Sequence, residues 1–394
     1  MTAAIIRDDA EAIATARRLA KAFAAGDSHR DAARVLPHAE VDELAAAGLL
    51  AVTVPAEDGG AGVSARTLGE VIATLSAGDA SIGQIPQNHF FFVDVLRHAG
   101  TAEQKKFFHA ELLAGKRFGN ALSERGTANA HDFRIGFERR PDGSYIVDGT
   151  KYYATGSPFA HWIPIYAKDA DGKLHAAWIP ATHPGVRVED DWEGMGQRTT
   201  GSGTVRFDGV VVPPEHVVPA WTIFEQTETF GAFGNYLHAA VDTGIAVAAL
   251  RDGKELIRTI ARPWWESDVE RAAEEPAVVQ HFGELALLVR AARALLREAG
   301  EALDAARADL TEQSSAEASA AVAAARAQAD TAALTVSSEV FALVGTRSAA
   351  QDLNLHRHWR NARTHTLHDP RRWKIRRLGD WELNDVPPPR NGIS

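Results

Sequence analysis

Asp142-Gly143-Ser144-Tyr145-Ile146-Val147-Asp148-Gly149-Thr150-Lys151-Tyr152-Tyr153-Ala154-Thr155-Gly156 is the stretch on which the fold turns. Two Asp-Gly dipeptides bracket a run of β-branched and aromatic residues, the pattern of strands joined by tight turns. Asp171-Gly172 repeats the turn signal, and Trp162-Ile163-Pro164-Ile165-Tyr166 and Val205–Val212 supply further strands before Pro213-Pro214 closes the block. From about Arg117 onward the sequence therefore predicts a small antiparallel β-barrel or sandwich.

On both sides of this block the chain reads as helix. Ala10–Ala25 is Ala-rich, and Asp27 or Ser28 is placed to cap the next helix. Pro37–Leu50 predicts a helix that stops at Gly48, and Ala65–Ala77 another beyond the turn-rich Thr53–Gly62 loop. Thr101 caps Thr101–Leu113, with Gln104 completing a capping box. Past about Ile223, Leu285, Leu288, Ala292, Leu295 and Leu296 share one stripe, and frequent Ala permits close helix approach, so a four-helix bundle is expected up to His368. Ala261–Pro276 interrupts it, and Val386–Arg390 reads as an extended surface tail. The expected fold is α+β: an N-terminal helical domain over 1–116, a middle antiparallel β domain over 117–220, and a C-terminal helical bundle with its tail over 221–394.

Bulk properties narrow the function. The 394-residue chain carries a net charge of −10 without a basic block, which argues against nucleic acid and anionic membrane as partners. With no Cys, disulfides, thiolate catalysis and Cys-ligated clusters drop out. There is no signal peptide and no apolar run of about 20 residues, so a cytoplasmic protein without a membrane span is expected.

The richest polar stretch is His358-Trp359-Arg360-Asn361-Ala362-Arg363-Thr364-His365-Thr366-Leu367-His368-Asp369-Pro370. If the helix reaches His368, then His365, His368 and Asp369 share one face, and Pro370 ends the turn. Such an end suits proton handling near neutral pH, and equally fits a solvated polar helix end. No metal is expected there, because a structural zinc site takes four ligands. Trp221, Phe224, Phe230, Phe233 and Tyr236 read either as a mobile lid over an apolar pocket or as core.

The order helices, β block, bundle resembles the acyl-CoA dehydrogenase superfamily, and local motifs carry the resemblance over nearly the whole chain. Leu44–Leu50 with Gly59-Gly60-Ala61-Gly62 looks like the family's early helix and Gly-Gly-x-Gly loop. Ala121-Leu122-Ser123-Glu124 is similar to half of its flavin signature, and Asp148–Gly156 to its Asn-Gly-x-Lys-x-Trp-Ile-Thr strand. Met195–Phe207 is similar to a second β signature, and Arg360-Asn361-Ala362-Arg363 to the segment preceding the dehydrogenase's catalytic Glu.

Two departures decide between branches. Where dehydrogenases place Tyr-Glu-Gly-Thr, this chain has Leu367-His368-Asp369-Pro370, and the Gly-Ser-Asp after Ser123-Glu124 is replaced by Thr127-Ala128-Asn129-Ala130. The pattern instead resembles the flavin-dependent monooxygenases of the superfamily, the dibenzothiophene-monooxygenase and dimethyl-sulfone-pathway group. That resemblance implies an oxidoreductase using reduced FMN, rather than FAD, received by diffusion from a separate NAD(P)H-dependent flavin reductase. Oxygen would pass through a C4a-hydroperoxyflavin to a small apolar or aromatic substrate, at sulfur or nitrogen.

It also implies roles. His89, Asn120, Thr155, His365, His368 and Asp369 would be catalytic, and Asn120, Ser123, Tyr153, Thr155, Arg262 and Arg347 would hold the flavin. The two Arg would reach its phosphate across a subunit boundary of a homotetramer. Phe92, Phe230, Phe233 and Tyr236 would line the substrate pocket. The alternative is an acyl-CoA dehydrogenase or nitroalkane-oxidase-like enzyme with Asp369 as the base.

Overall fold

The computed structural model describes residues 3–129 and 132–389. Six helices open the chain: α1 (Asp9–Ala24), α2 (Asp27–Ala33), α3 (His38–Ala46), α4 (Ala65–Gly78), α5 (Ala80–Ala99) and α6 (Ala102–Leu113). Their starts are fixed by side chains that satisfy free N–H groups. Asp8, Ser64 and Asp79 cap α1, α4 and α5, and the expected Thr101–Gln104 capping box opens α6. Gly48 takes the left-handed conformation (φ 80°) just after α3, where the sequence placed the stop. Asp27 does not cap α2; it lies inside the first turn, and its carboxylate accepts a 2.6 Å bond from Arg357 instead.

The middle block is an open sandwich rather than a closed barrel. One sheet has the order β1 (Gly136–Arg139), β2 (Tyr145–Lys151), β6 (Thr204–Val212), β5 (Val186–Glu189). The other has β3 (Trp162–Lys168), β4 (Leu174–Pro180), β7 (Val217–Val218), all pairs being antiparallel. Asp142-Gly143 and Asp171-Gly172 lie between strands as expected, with positive φ at both glycines. Asp148-Gly149 is not a turn: it lies within β2, opposite a bulge. Pairing steps from Val147↔Val210 to Gly149↔Phe207, so β6 carries one extra residue, and Gly209 (φ 56°) absorbs it. Inner-face residues such as Val147, Ile163, Ile165, Ile179, Val205 and Phe207 are buried between the sheets.

Five helices follow: α7 (Phe230–Thr259), α8 (Pro276–Ala308), α9 (Glu312–Val344), α10 (His356–His365) and α11 (Arg371–Asn384). In α8, Leu285, Ala292 and Leu296 face the core as the stripe predicts, while Leu288 and Leu295 flank it half-buried. α4 joins α7, α8 and α9 in one apolar core, so the first block and the bundle are not separate packing units. A second, aromatic cluster of Phe91, Phe92, Phe108, Tyr166 and Trp178 seats α5 and α6 on the β3–β4–β7 sheet. The tail to Pro389 has no regular structure, and Arg390 lies outside the described residues.

Candidate active site

The three blocks converge at Gln197. The loop before β6 crosses α10 so closely that a Cβ at Gly196 would run into the Arg360 carbonyl. Gln197, held at φ 50°, donates its backbone N–H to Asn361 Oδ1 on α10 at 2.7 Å and accepts at Oε1 from Ser81 on α5 at 3.1 Å. Its carbonyl accepts from Thr200, whose hydroxyl meets Ser202 at 2.6 Å, and Ser202 meets Thr155 at 2.7 Å. Thr155 is thus buried at the end of a chain of hydroxyls running from the domain junction.

Around Thr155 lie several of the expected flavin residues. Asn120 is tied to Ser157 through its backbone, and its buried side-chain Oδ1 has no partner among the described residues. Ser123 and Tyr152 form an isolated β-bridge. The Glu124 carboxylate accepts from the buried Lys151 at 2.7 Å, so the Ala121–Glu124 segment is stitched to β2. Tyr153 sits at φ 56° and is 49% exposed, its ring flanked by Trp192 and the Arg125 guanidinium. A left-handed tyrosine is strained, and here it places a half-exposed aromatic ring just past the end of β2.

His89 is placed differently from the expectation. Phe118 N–H donates to its Nδ1 (3.0 Å), so Nε2 carries the proton and donates to the Leu50 carbonyl (2.7 Å). Both nitrogens are engaged, and neither is left for a cofactor in this arrangement. Burial, partly offset by the Leu50 bond, lowers its pKa to about 4, so the ring is neutral.

At the other end of α10, the helix stops at His365, and Thr366–Asp369 is turn. His365 and Asp369 therefore do not pair. His365 donates from Nδ1 to Asp242 (2.7 Å) on α7, and its Nε2 meets His238 Nδ1 (3.0 Å), one helical turn before Asp242. Asp242 also pairs with Arg326, which reaches Asp330 (2.8 Å) and Asp369 (3.4 Å). Asp369 in turn pairs with the buried Lys374 at 2.8 Å. The half-exposed His368 ring lies 4.0 Å from His238.

Charge in this cluster nearly balances. Burial would raise Asp369, but the nearby His368 ring (3.9 Å) and the Arg326 and Lys374 charges outweigh it and hold it far below the carboxylate range. Burial, with Asp242 adding to it, pushes Asp330 up to about 8 despite Arg326, so it is mostly protonated at neutral pH. Burial, backed by His368, His365 and Arg326, drives His238 well below its ordinary value. Two cations thus face two carboxylates, with Asp330 and the two inner imidazoles neutral.

Sequence reasoning missed His238, Asp242, Arg326, Asp330 and Lys374. A signal existed: His238/Asp242 and Arg326/Asp330 are polar i,i+4 pairs on otherwise apolar, Ala-rich helices. The expected substrate set separates. Phe92 and Phe230 share the aromatic cluster, where the Phe91 ring lies 4.7 Å from Phe230. Phe233 and Tyr236 lie in the bundle core, and the Tyr236 hydroxyl fills the space between Gly69 and Gly300. Phe230, Phe233 and Tyr236 sit on the long α7, not on a lid.

Arg347 reaches the segment that carries Arg262 at one end of the bundle. Arg347 donates to the carbonyl of Ile260, two residues before Arg262, at 3.1 Å. Both are exposed, and neither has a carboxylate partner among the described residues.

Comparison with known proteins gives consistent matches. Models of the acyl-CoA dehydrogenase N-terminal, middle and C-terminal domains match residues 7–116, 121–210 and 236–371. Dibenzothiophene monooxygenase of Rhodococcus qingshengii is 33% identical over 95% of this chain and 94% of its own. The probable FMNH2-dependent monooxygenase SfnC of Pseudomonas putida is 32% identical over 96% of both. The solved structure of TdsC from Paenibacillus sp. A11-2 with FMN and indole superposes with a TM-score of 0.91 at 32% identity, covering 97% of this chain and 100% of that one.

Proposed function

The chain belongs to the acyl-CoA dehydrogenase family, as a flavin-dependent monooxygenase with FMN as its flavin, and from that premise we propose that it is the oxygenase half of a two-component system. Reduced FMN arrives by diffusion from a separate NAD(P)H-dependent flavin reductase, and the substrate is a small apolar or aromatic molecule oxygenated at sulfur or nitrogen. The SfnC and TdsC relatives support the flavin, and the indole in TdsC supports a planar heteroaromatic substrate. A homotetramer in the cytoplasm completes the reading; no helix among the described residues is long and apolar enough to cross a membrane.

The residues present fit FMN. Asn120 offers an unpartnered buried acceptor beside the Thr155–Ser202 hydroxyl pair, Tyr153 an exposed ring, and Arg262 and Arg347 two guanidinium groups without carboxylates. Asn120, Ser123, Thr155 and Tyr153 would hold the ring system. The two Arg would hold the phosphate, which planar guanidinium forks bind well. When bound, reduced FMN supplies the electrons that activate dioxygen, one atom of which goes to substrate and the other to water. The protein's part is to exclude water and to hold protons at His368, with His365 and Asp369 positioning it. His89, with both nitrogens filled, acts by fixing Phe118 and hence the segment that carries Asn120.

One observation carries the choice of chemistry: Asp369, in the place of the dehydrogenase base, is neutralised by Lys374 at 2.8 Å and Arg326 at 3.4 Å. A carboxylate held so far below its ordinary pKa is a poor acceptor for a carbon-bound proton. The test supplies the protein with enzymatically reduced FMN, isotopically labelled dioxygen and a panel of aromatic thioethers and nitrogen heterocycles. One labelled oxygen atom in a product supports the reading. Oxidation of an acyl-CoA or nitroalkane without oxygen incorporation would replace it with the Asp369-base alternative.

A further inference from the structure

We propose that His238 and His365, backed by Asp242, form a two-imidazole proton relay that turns the free nitrogen of His238 from a hydrogen-bond acceptor into a donor. The proposal rests on the monooxygenase reading for its purpose but not for its test.

The hydrogen bonds dictate the states. Asp242 is an ionised carboxylate facing Arg326, so it can only accept, and the 2.7 Å bond puts a proton on His365 Nδ1. With His365 neutral, its Nε2 carries a lone pair, and the 3.0 Å bond puts the proton of His238 on Nδ1. His238 Nε2 is then an acceptor, and no hydrogen bond reaches it among the described residues. A proton taken up at Nε2 makes His238 an imidazolium. Passing its Nδ1 proton to His365 Nε2 leaves His238 neutral, with the proton now on Nε2. The positive charge then rests on His365, against the Asp242 carboxylate. One proton enters, one moves, and the charge shifts one ring inward.

Charged and titratable groups face the pair from every element packed against it. α7 contributes Asp242; α9 contributes Arg326 and the largely protonated Asp330; the turn after α10 contributes His368 and Asp369; α11 contributes Lys374. His368 and Arg326 disfavour a cation on either ring and Asp369 favours one on His238, but Asp242 favours a cation on His365 both by charge and by its 2.7 Å hydrogen bond, a contact His238 lacks. His368 lies over the His238 ring with centroids 4.0 Å apart, so it acts on the pair through space, and the proton that enters at His238 Nε2 comes from another donor. His238 and Asp242 are accordingly positioning residues for His365.

The experiment is long-range proton–nitrogen NMR on the flavin-free protein labelled at histidine nitrogen, followed through a pH titration. At high pH, His238 and His365 should both show the Nδ1–H tautomer. As pH falls, one coupled protonation should appear, with His365 becoming cationic and His238 switching to Nε2–H. Asp242→Asn should move that event down by at least one pH unit, a tenfold loss of proton affinity. An Nε2–H tautomer of His238 at high pH, or two rings titrating independently, overturns the relay on the unmodified protein, whether or not the variant folds. Because no flavin is present, a failed relay and a failed monooxygenase reading are separate outcomes.

Discussion

Asn361 Oδ1 accepts the backbone N–H of Gln197 at 2.7 Å, and this bond joins α10 to the loop that feeds hydrogen bonds toward Thr155. Gln197 is buried and left-handed, so its N–H has no solvent to turn to.

Asn361→Ala should therefore cost roughly 1–3 kcal/mol, the penalty of a buried donor left unmade. Urea unfolding measures it. Asn361→Asp keeps the acceptor and should lose less. Equal stability of the Ala variant and the parent would mean that the junction is held elsewhere.

The Asp330 carboxyl makes a pH prediction with a definite sign. Its pKa rises from 3.8 to about 8 on folding, chiefly through burial, so the folded chain holds a proton that the unfolded chain releases. That contribution is complete below the unfolded value and is lost as pH climbs through about 8. His89, depressed from 6.5 to about 4 mainly by burial, acts oppositely: stability is lost as pH falls through that window. Asp330→Asn keeps a hydrogen-bonding group of the same shape without titrating. The Tm of the parent relative to that of the variant should fall as pH rises toward about 8. A pH-independent difference would place the proton on another group.

The β block and the capped helices were legible because turn glycines, caps and hydrophobic periods act locally. Gly48, the Thr101–Gln104 box and the Leu285–Ala292–Leu296 stripe each depend on residues within a few positions. Asp148-Gly149 misled because its glycine serves a bulge on a partner strand some sixty residues away, as the Asp148 carboxylate accepting from Gly209 N–H shows. The acid–base cluster was half legible for the same reason. His365, His368 and Asp369 are neighbours in sequence, but the groups that set their states, His238, Asp242, Arg326 and Lys374, come from three other helices.

Arg262→Ala and Arg347→Ala should each weaken FMN binding by about 1.5–3 kcal/mol, the worth of a charged hydrogen bond. Titration of the reduced flavin under anaerobic conditions reads this directly. Arg347→Ala also removes the bond to Ile260, so a modest fall in Tm is expected there. Arg262→Ala has no such bond among the described residues and should leave Tm unchanged. Unaltered flavin affinity in both variants would remove the phosphate assignment.

His368 and Asp369 should separate by function. His368 is half-exposed and lies over His238, whereas Asp369 is spent on Lys374 and Arg326. One well-placed donor to a developing anion is worth roughly 3–4 kcal/mol, so His368→Ala should divert most turnover to hydrogen peroxide, with FMN affinity kept. Asp369→Asn removes a charge from the Lys374 pair and should cost about 1–3 kcal/mol of stability. It should keep most of the product-to-peroxide ratio if, as proposed, the carboxylate is paired with Lys374 and Arg326 and takes no proton itself. Measuring product and peroxide per reduced flavin consumed, alongside urea unfolding of both variants, places each residue. If Asp369→Asn abolishes turnover in a fully folded protein while His368→Ala leaves product yield intact, the carboxylate is the reacting base and the oxygenase assignment of this helix end fails.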